Sequence, residues 1–448
     1  MSGPRNRLDQ LDRRAFLKAS GLVSLGLGLG SFSTGRASAN DTINIGLIGC
    51  NGMGYRNLLS MLDVPGTRCI ALCDVDRGVL DKRVQGLTEL NGHAPRTYGD
   101  YRALLDNKDI DAVIIGTPDH WHCLQMVDAC DAGKDVYVEK PLANSIDECR
   151  RMVAAQEYHG RVVQVGQWQR SGPHWSEAID LVSSGELGAL RTVKVWAYMN
   201  WAEMIQVRPD EPVPAGVDYD MWLGPAPARP FNQHRFHVNF RWFWDYAGGL
   251  MTDWGVHLID IALWGTGAKF PNRIMSGGGK FADPGSAMET PDTQQAIYEY
   301  DDFTMIWEHA VGIGLGPFQR SHGIAFVGNN GTLVVDRSGW ELFPESSSMR
   351  GGESTYRMAA QPPRRARPEA RGLNQHAENF VDCMRTRSKP NCDVAAGNLA
   401  AINAHLGNIA LRTGDTLEWD SVKYRFRGNR QANDFLKPDY RRPWRLPR

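Results

Sequence analysis

The stretch "NIGLIGCNGMGYRNLLSML" (Asn44 to Leu62) runs an apolar segment into a glycine-rich turn and then a helical pattern. A buried strand that enters a helix within a few residues needs left-handed backbone, which only Gly, and to a lesser degree Asn, adopts cheaply. Four further apolar runs repeat the theme: "RCIALCDVD" (Arg68 to Asp76), "DAVIIGTP" (Asp111 to Pro118), "DVYVEKP" (Asp135 to Pro141) and "VVQVGQ" (Val162 to Gln167). Helical patterns such as "YRALLD", "HCLQMVDACDAG" and "SIDECRRMVAAQEYHG" separate them. Short all-apolar strands alternating with helices predict a parallel, doubly wound sheet with both faces covered, here over residues 40–165.

Beyond Gly166 the pattern changes. "LRTVKVWAYMNW", "QQAIYEYDDFTMIWEHA", "GIAFVGNNGTLVVD" and "GWELFPE" read as longer strands, and Gly328–Gly331 ("GNNG") is a hairpin signal. Residues 349–372 are a polar, Pro-rich loop, and two helices follow, the second stopped by Gly414. The expected fold class is therefore α/β: a Rossmann domain followed, over 166–448, by an α+β domain with a large open, mostly antiparallel sheet.

The first 39 residues read as an export signal. Arg13 and Arg14 precede a weakly apolar Gly- and Ser-rich stretch, and "ASA" (Ala37 to Ala39) offers small residues for cleavage. The Arg pair followed by Phe16, Leu17 and Lys18 resembles a twin-arginine signal, with Asp12 where Ser or Thr is usual. The expected location is the periplasm, reached through the twin-arginine machinery, without stable membrane insertion once the signal is removed. The formal net charge of -1 turns more acidic without that segment, because six basic residues leave with two acidic ones. Nucleic acid is not an expected partner. The eight cysteines form no CxxC pair, so buried free thiols are expected rather than a structural zinc.

The turn aligns Gly49, Asn51 and Gly54 with a dinucleotide fingerprint, and Gly52 and Met53 lie within it. Asp74 ends the second strand, twenty residues past Gly54. A carboxylate there accepts hydrogen bonds from adenosine ribose hydroxyls and repels a 2′-phosphate. NAD is the expected cofactor, with NADP the alternative should Arg77 reach the site. "TPDHWH" (Thr117 to His122), "EKP" (Glu139 to Pro141) and "GQWQR" (Gly166 to Arg170) fall at the carboxyl ends of strands, where such sheets bind ligands. In "GGLMTDWGVHLIDIALW", Asp253 and His257 are four apart and share a helical face, with Asp260 three further on.

With "VYVEKPLA", "TPDHWH", "MTDWGVHLID" and the ending "KPDYRRPW" (Lys437 to Trp444), the sequence resembles the Gfo/Idh/MocA family, named for glucose-fructose oxidoreductase and inositol dehydrogenase. The resemblance covers nearly all of the mature chain. It implies a Rossmann domain plus an open sheet that often mediates dimers or tetramers. It implies catalytic roles for Lys140, which would tune or relay the hydroxyl proton, for Asp253, which would orient it, and for His257 as main acid/base. Thr117, Pro118, His120, His122, Glu139, Lys140 and Gln167 would complete the cofactor site. The residue types suit the reaction: alcohol oxidation needs a base for the hydroxyl proton while a hydride leaves. The family's glycosidase branch carries Tyr-Pro-Thr-His-Gly near this helix start, where this chain has Asp253.

"WAYMNWAEM" and "FNQHRFHVNFRWFWDYAGG" are dense in aromatic and polar side chains, a composition that suits sugar rings. Trp168, Arg170, Trp201, Arg241, Trp244, Tyr246, Asp253 and His257 are the candidate substrate residues. His234 and His237 raise a metal reading, but His-x-x-His is a weak motif and hydride transfer needs no metal, so none is expected. The expected function is an exported oxidoreductase for a secondary alcohol of a sugar, with a tightly held, internally recycled cofactor. The alternatives are redox-neutral glycoside cleavage through a transient ketone, and a catalytically silent sugar-binding protein.

Overall fold

Six parallel strands form the first sheet: β1 (Ile43–Ile48), β2 (Thr67–Cys73), β3 (Arg96–Tyr98), β4 (Ala112–Ile115), β5 (Asp135–Val138) and β6 (Val163–Val165), in the order β3-β2-β1-β4-β5-β6. The computed structural model describes residues 42–347, 355–367 and 372–447. The proposed signal lies outside the described residues. Strand order reverses between β1 and β4, so the crevice beyond their carboxyl ends is the switch point where such a sheet takes its ligand. All residues of β4 and β5 are buried, as expected of strands covered on both faces.

Alternate residues serve two cores. Ile45, Leu47, Ala112, Ile114 and Tyr137 face one way; Ile48, Val113, Ile115, Val136 and Val138 face the other. The first face is closed by helix Gly52–Leu62 together with Ala377, Phe380, Val381 and Met384 of helix Leu373–Thr386. The linear division at residue 165 thus omits a helix of the late sequence that completes the nucleotide-binding layer. Sequence periodicity shows that this helix is amphipathic but not what it covers.

The second sheet has ten strands: β7 (Leu190–Met199), β8 (Arg273–Gly279), β9 (Thr293–Glu299), β10 (Thr304–Val311), β11 (His322–Gly328), β12 (Gly331–Asp336), β13 (Gly339–Pro344), β14 (Arg364–Arg365), β15 (Leu417–Asp420) and β16 (Arg425–Phe426). Their order is β14-β13-β12-β11-β7-β10-β9-β8-β15-β16, with β7 and β10 parallel and the other pairs antiparallel. The "GNNG" turn joins β11 to β12 as its sequence predicts. Helix Val394–Thr413, ended by Gly414 in the left-handed conformation, is buried along most of its length. All eight cysteines are free and buried. Among the described residues no helix is long and apolar enough to cross a membrane.

The β1 turn is a contact of three glycines. Gly49 sits at φ +83; a Cβ on Gly54 would lie 2.2 Å from the Gly49 carbonyl oxygen, and one on Gly116 would lie 2.5 Å from the Gly54 Cα. In an open helical site Gly→Ala gains about 1 kcal/mol. Here Gly54→Ala is expected to cost roughly 2–4 kcal/mol, because backbone cannot move aside as a side chain would. Gly277→Ala, whose added methyl meets open space, should stay within about 0.5 kcal/mol. Urea midpoints of the two variants test this; equal, small shifts would contradict it.

Candidate active site

A cleft opens at the switch point. Its floor is Gly49, Asn51, Gly52 and Met53, then Thr117 and Pro118 from the β4 exit and Glu139 and Lys140 from the β5 exit. The Asn51 side chain caps helix Gly52–Leu62 by accepting from the Gly52 N–H at 3.0 Å. Gly52, at φ +48, has nothing near its missing side chain, so that helix N-terminus faces an open cradle of the kind that takes diphosphate. Asp74 lines the cleft and accepts from the Cys50 N–H (2.7 Å) on one oxygen and the Asp76 N–H (2.9 Å) on the other. Burial pushes its carboxyl up; those two N–H groups pull it back. These residues fit a dinucleotide, with the Gly49–Met53 turn for its diphosphate and Asp74 for the adenosine ribose.

At the other end stands a cluster of charges. Lys140 Nζ donates to Asp253 Oδ1 at 2.5 Å and to the Asp253 carbonyl at 3.1 Å. Arg241 Nε lies 3.3 Å from Asp253 Oδ2. Burial alone would raise the Asp253 carboxyl, but Lys140 and Arg241 outweigh it and hold the group well below the usual carboxylate range. Asp253 is carried by a π-helical turn, Met251–Gly255, ahead of helix Val256–Thr266; such widened turns recur at functional sites. Glu139 is buried, accepts from Asn57 Nδ2 at 2.7 Å and from the Lys140 N–H at 3.1 Å, and is raised by that burial.

Asp119, absent from the sequence-derived site, belongs to this cluster. It follows Pro118, is 7% exposed and lines the cleft. Burial pushes its carboxyl well above the ordinary range; Lys140 and Arg241 oppose this, while Asp253 and Glu139 add to it. The cleft's aromatic walls were also missed: they are Tyr101, Trp121, Trp222 and Phe240. The signal for Asp119 and Trp121 is "TPDHWH" itself, whose Thr117, Pro118, His120 and His122 alone carry a sequence-derived assignment.

Several expected residues lie elsewhere. His122 spans from the Thr117 carbonyl (2.9 Å) to the Pro141 carbonyl (2.8 Å), so it fixes the two strand exits from behind rather than touching a cofactor. His120 bonds the Trp222 carbonyl and is buried against Trp222 and Tyr246, and Tyr246 is itself wholly buried core. Gln167 is buried against Cys392. Arg170 is locked on Asp260 by paired bonds of 2.8 Å, a buried structural pair. Arg77 turns outward to Asp81, away from Asp74. Trp201 is half exposed, and Trp244 is held by Glu289; neither lines the cleft. His257 stands one turn behind Asp253, with Trp168 and Trp254 edge-on to its ring at 6.1 and 6.3 Å. Burial drives its titration well below the ordinary value, and Lys140 and Arg337 add to that. His234 bonds the Gln206 carbonyl and His237 bonds Asp76, so the two diverge.

The buried, raised carboxyl of Asp119 has a pH signature. Its folded-state pKa lies above the unfolded value of about 3.9, so the folded protein keeps this proton longer and loses stability as pH rises between the two values. Asn cannot ionise. Asp119→Asn is expected to raise Tm by about 1–3 °C at pH 8 and by much less at pH 4. An equal gain at both values, by scanning calorimetry, would contradict the assignment.

Comparison with known proteins agrees with this arrangement. Residues 43–167 match the model of the oxidoreductase family's NAD-binding Rossmann fold. Residues 179–276 and 366–446 match the family's C-terminal alpha/beta domain, and residues 228–334 a second C-terminal model of the same family. An uncharacterized oxidoreductase of Rhizobium meliloti is 32% identical over 190 residues, 42% of this chain and 55% of that protein. A glycosyl hydrolase family 109 protein of Shewanella sp. (strain ANA-3) is 27% identical over 206 residues, 41% of this chain and 45% of that protein. The matched region thus spans about half the length of these curated relatives. The aldose-aldose oxidoreductase of Caulobacter crescentus, solved with glycerol, superposes with a TM-score of 0.62 at 20% identity, over 84% of this chain and 99% of that one, which establishes the shared fold. On the Rossmann model and the two overlapping C-terminal models of one family, the chain belongs to the Gfo/Idh/MocA oxidoreductase family.

Proposed function

We propose that this protein is an exported NAD-dependent oxidoreductase that acts on a secondary alcohol of a sugar or sugar derivative and keeps its cofactor through turnover. The observation that carries this reading is Lys140: its amine, fastened to Asp253, lines the same cleft as the glycine turn and Asp74. Bound NAD supplies the hydride acceptor. The chain's own groups supply the proton chemistry. Lys140 Nζ, with donor capacity beyond its two bonds to Asp253, hydrogen-bonds the reacting oxygen and stabilises the negative charge that develops there. Asp253 fixes the amine, and Arg241 keeps Asp253 ionised. In the reducing direction the Lys140 ammonium donates a proton to that oxygen; in the oxidising direction the amine, having first released a proton to solvent, takes up the hydroxyl proton. Lys140 lines the cleft and His257 does not, so this reading gives the principal acid/base role to Lys140.

The likeness to a glycosyl hydrolase family 109 protein favours a second reading. A ketone formed transiently on the sugar acidifies the neighbouring C–H. Loss of that proton with the leaving group, addition of water and return of the hydride then cleave a glycoside with no net redox change. Both readings need a dinucleotide loaded before export, since a periplasmic enzyme draws on no free pool. The sugar-binding alternative leaves the Lys140–Asp253–Arg241 cluster without a purpose.

Protein purified from the periplasm is expected to yield close to one NAD per chain on acid extraction and mass spectrometry; empty protein would sink the retained-cofactor reading. Lys140→Met is expected to lower turnover about 10²–10⁴-fold while NADH binding persists. A loss of binding that matches the loss of turnover would instead make Lys140 a binding residue.

A further inference from the structure

The cofactor cleft has a roof built from the second half of the chain. Gly216–Asp218 pairs as a short antiparallel rung with Val75–Arg77: the Arg77 N–H donates to the Gly216 carbonyl and the Asp218 N–H to the Val75 carbonyl, each at 2.9 Å. This rung closes directly over the exit of β2, beside Asp74. His237 adds a side-chain bond across the same gap, Nε2 to Asp76 Oδ2 at 2.9 Å. From these anchors Met221, Trp222, Val238 and Phe240 face the glycine turn across the cleft.

The far end of the roof is tied down by the last residues of the chain. Arg441 donates from Nε to the Gly224 carbonyl (2.7 Å), from Nη2 to the Asp220 carbonyl (2.6 Å) and from Nη1 to Asp220 Oδ1 (2.8 Å). The Gly224 carbonyl follows the end of helix Tyr219–Leu223, where C=O groups favour a cation, and the Asp220 carbonyl, which also accepts the Gly224 N–H at 3.0 Å, gains a second donor. Gly224 sits against Trp121, so closely that a Cβ there would lie 2.1 Å from the ring. Trp121 donates Nε1 to the Trp222 carbonyl at 3.1 Å. Trp444 packs edge-on against the other side of Trp121, with ring centroids 4.9 Å apart. The Rossmann domain, the roof and the chain terminus therefore meet at one aromatic wall of the cleft.

We propose that residues 216–224 are a clasp over the adenosine end of the cofactor cleft, with Arg441 as its latch, and that opening this clasp limits how fast the dinucleotide leaves. The inference rests on the cleft being the NAD site and deepens that reading. It assigns retention to named contacts: a two-bond backbone rung, one Asp–His bond and one guanidinium on two carbonyls. A dinucleotide lying beneath them cannot exchange until the rung separates.

The test is the rate of NADH release from the full-length mature protein, read by loss of energy transfer from tryptophan to bound NADH after mixing with excess NAD. Arg441→Ala, which removes all three of its bonds to the roof, is expected to speed release at least about tenfold, the worth of one charge-assisted hydrogen bond. Asp76→Cys with Val217→Cys provides the control that does not depend on comparing two folds. These positions face each other across the rung as a non-hydrogen-bonded pair, the closer of the two antiparallel spacings. The oxidised double variant should release NADH at least about tenfold more slowly than the same protein reduced. Equal release from oxidised and reduced forms would overturn the clasp and leave the cofactor site standing. A wild-type protein that takes up no NADH would overturn the cofactor reading, and the clasp with it.

Discussion

The buried ion pair of Lys140 and Asp253 is the contact on which the site depends. Lys140 leaves the end of a Rossmann strand; Asp253 sits on a π-helical turn of the following domain, over a hundred residues later. Taking two charges out of water is costly, and a pair repays that cost only with close geometry and further partners. Both conditions are met: Asp253 has Arg241 on its second oxygen, and the Lys140 amine also holds the Asp253 carbonyl. The pair thereby sets the position of one domain's helix against the other's cofactor layer.

Around it, the carboxyls divide by their surroundings. Asp119 and Glu139 are carboxyls raised by burial, while Asp253 is lowered among the same neighbours. The difference lies in contact: Asp253 touches both cations, whereas Glu139 is held by an amide and a backbone N–H. One lowered and two raised carboxyls thus stand beside the lysine.

Much of this was legible in the sequence because the constraints were local. The β1 turn, the all-apolar strands, the "GNNG" hairpin and the Gly414 stop each follow from backbone chemistry within a few residues. The cofactor end of the site was legible for the same reason, since strand exits and helix starts place Gly49, Asp74, Thr117 and Glu139 together. The substrate end was not. Composition marks Trp244, Tyr246 and Arg170 as sugar-binding types, but Glu289, the His120–Trp222 core and Asp260 claim them. No local rule tells a satisfied buried aromatic from one facing a cleft. His257 shows the limit of spacing: it shares Asp253's side of the helix and still ends one turn behind the amine, among indoles. Helix Leu373–Thr386, the missing cover of the Rossmann sheet, is a long-range pairing that only the folded chain reveals.

The central claim is that hydride moves between a sugar carbon and a dinucleotide in this cleft while Lys140 handles the proton. The most direct measurement is isotopic. NAD-loaded protein would be incubated with sugars deuterated at each secondary carbinol carbon in turn, and the extracted nicotinamide analysed by mass spectrometry. The account predicts deuterium in the nicotinamide for one labelled position, and its loss in Lys140→Met. A nicotinamide that stays unlabelled with every secondary alcohol offered would contradict it.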